Sequence, residues 1–231
     1  KGNTMGTTRD TSDKNELEER EINFTTIPFG PQHPSSGHFH AVVKCVGEEV
    51  VELTPHPGYL HRGFERLMEY RNHMQNIMLS DRICILDPFA NEMGYVNVLE
   101  KIAGIKATQR GKFIRTIMAE LGRIQSHITW IGVQSMTLGL DSGTRIAWGD
   151  REKIIRLNEI ATGGRIYPCY FAPGGIRRDF PEGFKAETLR VLDYIEKQLK
   201  LYDNLVFYNT TFTMRLEDVG TLSAEDAVAL G

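Results

Sequence analysis

Residues 108–135 read TQRGKFIRTIMAELGRIQSHITWIGVQS, and this stretch decides the fold class. Phe113, Ile117, Leu121, Ile124, Ile128 and Ile131 recur at steps of four and three, the period of one helix face. A helix from Gln109 to about Ser135, opening at Thr108, is longer than most surface helices and predicts a central scaffold element. Around it the chain is predominantly helical. Leu60, Phe64, Leu67 and Met68 keep helical spacing, and Met74, Ile77 and Met78 continue the apolar face. A further segment runs from Phe89 to Ile102 and closes at Gly104; another spans Asp150–Ala161 and ends at Gly163-Gly164. Arg165–Phe171 reads as strand, Ala172–Gly183 as a Pro/Gly-rich loop, and Phe184 to about Tyr208 as helix again.

Before Gly58 the pattern changes. Residues 1–21 form a polar tail without apolar periodicity. Residues 22–57 form a small β domain: His38–Cys45 is a strand, Gly47-Glu48 the turn and Val50–Leu53 the return, with Pro55 and Pro57 ending the pairing. Residues 58–231 form a helical domain. The last ten residues read as a Ser223-capped helix that stops at a glycine, and the chain is expected to be truncated there. The fold class is mainly α (α+β), a small N-terminal β element followed by a long-helix bundle.

Composition narrows the function classes. With 231 residues the chain can bury a real core, and 41% hydrophobic with 25% charged residues excludes a disordered or fibrous protein. A net charge of -3 gives no general attraction to nucleic acid, and none is expected as a partner. Three scattered cysteines (Cys45, Cys84, Cys169) make no disulfide framework and point to a reducing compartment. No signal segment follows Lys1, and the longest apolar runs, such as Ile128–Val133, are too short to cross a bilayer. The chain is expected to be soluble by itself and able to sit on a membrane partner.

Four constellations carry possible chemistry. His33, His38 and His40 lie within eight residues among turn formers; they can hold a metal, a proton or a carbonyl ligand, or simply lead into the hairpin. His56 and His61-Arg62 precede a helix start, where an anion or electron-rich ligand is favoured, or where they cap and pack. Cys84 and Asp87 stand three apart, one face if helical; the other reading is a buried thiol and an N-capping carboxylate before Pro88. Glu120, Arg123 and His127 form one stripe on the long helix, a proton relay or an ion pair within the helical core. No phosphate loop, dinucleotide fingerprint, nucleophile elbow or four-cysteine iron–sulfur set is present, so this chain is expected to hold no metal or redox cofactor of its own.

Several motifs share one order and spacing: Phe29-Gly30-Pro31-Gln32-His33-Pro34, Gly58-Tyr59-Leu60-His61-Arg62-Gly63 with Glu65, Asp81-Arg82, Leu99-Glu100-Lys101, the helix with Glu120 and Arg123, and Tyr170-Phe171 with Pro173-Gly174-Gly175. Together they resemble the large catalytic-core subunit of respiratory complex I, the D-type subunit of NADH:quinone oxidoreductase. The relatives of that family are the F420H2 dehydrogenase subunit and the large subunits of membrane-bound [NiFe] hydrogenases. The resemblance covers roughly residues 22–231, implies a [NiFe] hydrogenase large-subunit-like fold, and marks the chain as the N-terminal part of a longer subunit with exposed apolar surface.

The resemblance also implies a function. The large subunit packs against a small iron–sulfur subunit of the B-like type, which carries a [4Fe-4S] cluster. With a C-like protein and membrane arm subunits, it passes electrons to quinone, coupled to ion translocation, as a peripheral assembly on the cytoplasmic face of the cell membrane. Arg62 is the position beside the cluster. His38, displaced past Gly37 and accompanied by His33, is the candidate for the quinone carbonyl, and Ile85 stands where the family has a headgroup-bonding Tyr. Thr137 falls near the family's His-backing carboxylate, with Asp141 close by, and Tyr167 replaces a His near the cluster. Arg82-Ile83-Cys84-Ile85-Leu86-Asp87 keeps the first hydrogenase Cys and substitutes Asp87 for the second, which speaks against nickel. Cys84 and Asp87 are alternative polar contacts in the cavity, and Asp87 with His38 is a candidate for proton supply. The rival expectations are a hydrogenase-like large subunit without nickel in an energy-converting complex, and a non-catalytic assembly subunit.

Overall fold

The computed structural model describes residues 24–33 and 37–231, so the predicted tail and the Pro34-Ser35-Ser36 turn lie outside the described residues. The chain divides into two compact units, the first ending at Arg62 and the second beginning at Gly63.

In the first unit β1 (Thr25–Phe29), β2 (Ala41–Val46) and β3 (Glu49–Pro55) form an antiparallel sheet in the order β1-β2-β3. The predicted hairpin is present with its turn at Gly47-Glu48, and β1 is an addition. Register slips at Lys44/Cys45: Cys45 pairs with Val50, but Lys44 pairs with Glu52. That irregularity moves every later partner by one residue, so Ala41 meets Pro55 and the amide of His56 donates to the carbonyl of His40 at 2.9 Å. Ala41 and Cys45, four apart on β2, are the buried positions of this sheet.

The second unit contains α1 (Phe64–Tyr70), α2 (His73–Ser80), α3 (Pro88–Ala103), α4 (Gln109–Thr137), α5 (Asp141–Thr162), β4 (Phe171–Ala172), β5 (Gly175–Ile176), α6 (Phe184–Tyr202), α7 (Thr210–Leu216) and α8 (Ala224–Leu230). A π-helical turn, Asp203–Phe207, extends α6. Helix α4 starts where its sequence indicates, with Thr108 Oγ1 accepting from the amide of Gly111. Helix α3 ends on the left-handed Gly104, and α8 is capped by Ser223.

Some boundaries differ. Leu60 lies outside α1, which begins after Gly63. Helix α5 starts nine residues before Asp150, through the Gly143 turn, because a glycine there lets α5 approach α4 closely: a Cβ on Gly143 would meet Ser135 Oγ at 2.7 Å. Of Arg165–Phe171 only Phe171 is strand, since Pro168 has no N–H to pair and Cys169 is left-handed (φ 41°).

The buried stripe of α4 is rotated from the predicted one. Ile114, Met118, Leu121, Gln125 and Ile128 face inward, whereas Phe113 and Ile117 are 63% and 40% exposed. The cause lies at Gly111 and Arg115, which must face the β4–β5 hairpin. A Cβ on Gly111 would lie 3.0 Å from Gly175 Cα. Arg115 donates to Gly175 O at 2.8 Å and Ala172 O at 2.8 Å, and pairs with Glu100 Oε1 at 2.6 Å. Glu100 Oε1 in turn accepts the Gly174 amide at 2.9 Å. Met118, Ile154, Leu157, Phe89, Tyr170 and Phe171 fill the core beneath, and α4 meets α5 through a buried amide pair, Asn158 Nδ2 to Gln125 Oε1 at 2.7 Å.

Replacing Arg115 by Met strands a partly buried carboxylate and two carbonyls, and is expected to cost about 3 kcal/mol in chemical unfolding. Arg115 holds the Glu100 carboxyl below its ordinary value of 4.5. A lowered carboxylate contributes stability that is complete above that ordinary value and lost as pH falls through the native one. The wild type should therefore lose this stability in acid, and the Arg115→Met chain should show a weaker acid dependence.

Candidate functional site

The candidate residues fall on two units, and each group has its own geometry. In the first unit the register irregularity gathers a histidine cluster. His40 and His56 stack with ring centroids 5.1 Å apart, Tyr59 meets His40 edge-on at 5.7 Å, and His40 Nδ1 is 3.0 Å from Gly30 O. His33 packs on Phe29 at 4.3 Å and bridges Gly37 in antiparallel fashion. His38 is exposed, and Arg62 is exposed at the end of the unit. Two histidine motifs that look separate in the sequence are thus one cluster, joined by β2–β3 pairing. The turn position alone would have set His40 against Pro55 rather than His56.

In the second unit Cys84, Ile85 and Asp87 share the loop between α2 and α3. This loop is not helical, so Cys84 and Asp87 do not lie on one helix face. Asp87 is the N-cap of α3, its Oδ1 accepting from the Ala90 amide at 3.1 Å. Gly122 of α4 leaves room for it: a Cβ there would come within 3.1 Å of Asp87 Oδ1. Cys84 is half-buried and Ile85 is 51% exposed. Thr137 is not brought to this loop. It ends α4, roughly 22 Å along the axis from Gly122, with its hydroxyl bonded to Val133 O at 2.9 Å. Glu120 and Arg123 pair at 3.0 Å, but on an exposed face rather than in a core, and His127 is exposed beside them.

The loop is anchored at its first residue. Asp81 is fully buried; its Oδ1 accepts from Arg82 at 2.7 Å and its Oδ2 from the Cys169 amide at 2.9 Å. Burial nevertheless raises its pKa, with the Arg82 guanidinium acting against that. Arg82 also bonds Met78 O at 2.8 Å and lies over the Tyr167 ring at 5.1 Å. Glu92, one helical turn beyond Phe89, is a further buried carboxyl, receiving the Phe171 amide at 2.7 Å. Chemical reasoning from residue types passed over Glu92. Its signal was available: a Glu on the same apolar face as Phe89 and Val96 must be held by something.

A nickel centre does not fit the residues of this loop. It offers one thiolate, Cys84, and the carboxylate at the second position is committed to capping α3. Among the described residues no helix is long and apolar enough to cross a membrane.

Comparison with known proteins places these features. Residues 137–231 match the family model of the respiratory-chain NADH dehydrogenase 49 kDa subunit. The D-type subunit of NADH-quinone oxidoreductase from Geotalea uraniireducens (strain Rf4) is 41% identical over 207 residues, covering 89% of this chain and 53% of the relative. The D-type subunit of F(420)H(2) dehydrogenase from Methanosarcina mazei is 36% identical over 212 residues, 91% of this chain and 57% of that one. Among solved structures, a chain of the membrane-bound sulfane sulfur reductase, an archaeal respiratory membrane complex, superposes with a TM-score of 0.84 at 35% identity, covering 88% of this chain and 55% of that chain. The relatives matched are named as oxidoreductase subunits, and the sheet-then-long-helix fold is similar to that of a chain from a respiratory membrane complex. More narrowly, the chain is similar to the complex I 49 kDa (D-type) subunits, and it spans about half the length of the curated relatives it matches.

If Asp87 acts first as a cap, Asp87→Ala should destabilise the start of α3 by about 1 kcal/mol, while Asp87→Ser and Asp87→Asn stay near wild type. Hydrogen exchange at Ala90 and Asn91 reads this directly.

Proposed function

We propose that this chain is the N-terminal part of a large subunit that takes electrons from a [4Fe-4S] cluster on a small iron–sulfur partner and delivers them to quinone. The 41% identity to the D-type subunit of a quinone oxidoreductase, running through both units, carries this reading. Each quinone takes two electrons and two protons to become hydroquinone. His38, exposed and outside the His40–His56 stack, donates a hydrogen bond to a quinone carbonyl, with His33 nearby on the same segment. Arg62 places a fixed positive charge beside the cluster and favours its reduced state. On the α2–α3 loop Ile85 supplies apolar surface where a phenol would otherwise bond the headgroup, and Cys84 and Asp87 are the polar groups of that loop. Thr137 has no contact with that loop, and its part is to end α4. The complex is peripheral to the membrane on its cytoplasmic face, docks on a C-like protein and membrane arm subunits, and couples electron flow to ion translocation.

A second reading has its own observation. The superposing structure is that of a membrane-bound sulfane sulfur reductase, and Cys84 presents a thiol in the loop where a quinone-bonding Tyr is missing. In that reading the acceptor is a sulfane-sulfur compound, and the assembly is a hydrogenase-like one without nickel.

Steady-state assays on the assembled complex separate the two. His38→Ala should lower quinone reduction about 10–100-fold, the loss of a bond worth about 1–3 kcal/mol, with assembly intact. Loss of polysulfide reduction in Cys84→Ser with quinone reduction unchanged would favour the second reading. Unchanged rates in both variants would leave a non-catalytic assembly role, and stoichiometric nickel in the complex would contradict both.

A further inference from the structure

Glu92 stands on the inner face of α3 and is fully buried. Its Oε1 accepts one hydrogen bond, from the Phe171 amide at 2.7 Å, and its Oε2 is buried with no hydrogen-bond partner. Asp81, equally buried, has both oxygens satisfied by Arg82 and by the Cys169 amide. The two carboxyls therefore grasp amides only two residues apart on the segment entering β4, and only Asp81 has a cation bonded to it. An ionised Glu92 would be a second buried negative charge with no cation bonded to it and one oxygen without a partner, which is far more costly than a neutral acid in the same place.

We propose that Glu92 is a buried proton-binding site, holding a proton where α2, α3 and the β4–β5 hairpin meet and exchanging it in response to charge at the head of the Arg82–Asp87 loop. The charged and titratable groups facing it are Asp81 and Arg82 from the end of α2, Cys169 and Tyr170 ahead of β4, and Arg177 beyond β5. Burial pushes the Glu92 carboxyl from 4.5 up to about 8; Asp81 raises it further, while the Phe171 amide, Arg177 and the Tyr170 amide lower it. Cys169 is raised by the same burial, and both carboxyls add to that. On ionisation the acid O–H bond breaks, the proton passes to solvent, and the Phe171 amide is left facing a full charge. Any change of charge in the loop reaches Glu92 through the Asp81–Arg82 pair. The site stands on this local geometry whichever acceptor the loop serves.

The sign of the linkage follows. A carboxyl raised in the folded state binds more protons than the unfolded chain between its two values, so stability falls as pH rises from about 4.5 to about 8. Infrared difference spectra of the assembled complex, taken across that range, should show a protonated-carboxyl C=O band that titrates near the upper value and is missing in Glu92→Gln. The amide is nearly isosteric with the neutral acid, so Glu92→Gln should assemble normally at pH about 6. Its apparent melting temperature should depend less on pH than that of the wild type. Persistence of the band in Glu92→Gln overturns the proposal, because the proton then sits on another carboxyl; so does failure of that variant to assemble at pH about 6, because the ionised carboxylate is then the form the fold requires.

Discussion

The guanidinium of Arg115, nearly sealed from solvent between α3, α4 and the β4–β5 hairpin, organises the second unit. One side of it carries the Glu100 carboxylate and the other carries the carbonyls of Ala172 and Gly175. Buried in this way, a charge is tolerated only with its nitrogens directed at acceptors, and a planar fork whose three nitrogens each meet one satisfies that demand where a lysine would not. The consequences spread outward. Gly111 has to lack a side chain so that the hairpin can lie against α4, the apolar stripe of α4 is turned to follow Arg115, and the hairpin is held firmly enough for Phe171 to sit in the core against Phe89. From the same anchored hairpin the preceding residues reach back to the other carboxyls: the Cys169 amide to Asp81 and the Phe171 amide to Glu92. Asp81 is also the first residue of the loop with Cys84 and Asp87, so the position of that loop traces back to the hairpin lock.

Much of this architecture was legible in the residues. Long apolar periodicity gave α4, Thr108 and Gly104 gave its start and the end of α3, and Gly47-Glu48 gave the hairpin turn. What could not be read was tertiary. The early start of α5 depends on how near Gly143 comes to Ser135, and the rotation of the α4 stripe depends on what Arg115 must reach. The meeting of His40 with His56 depends on a single register slip in β2–β3. Local propensity carries no information about such contacts, since each is decided by a partner distant in sequence.

The candidate site was legible unevenly, for the same reason. Cys84 and Asp87 drew attention as chemical groups three apart, yet the structure uses Asp87 first as a helix cap and places the pair on a loop. Glu92 drew none, because a lone glutamate in a helix looks like a solvated one until its apolar neighbours are counted. The proposed roles of Arg62, His38 and Ile85 rest on similarity to the D-type subunits and not on a motif that the structure assembles. That leaves the identity of the acceptor as the matter on which the account turns.

Photoaffinity labelling of the assembled complex with an azido-quinone, followed by peptide mapping of this chain, tests it most directly. The account predicts label on the segment carrying His33 and His38, displaced by excess quinone. Label confined to other parts of the complex, with that segment unmodified and quinone reduction intact, would contradict it.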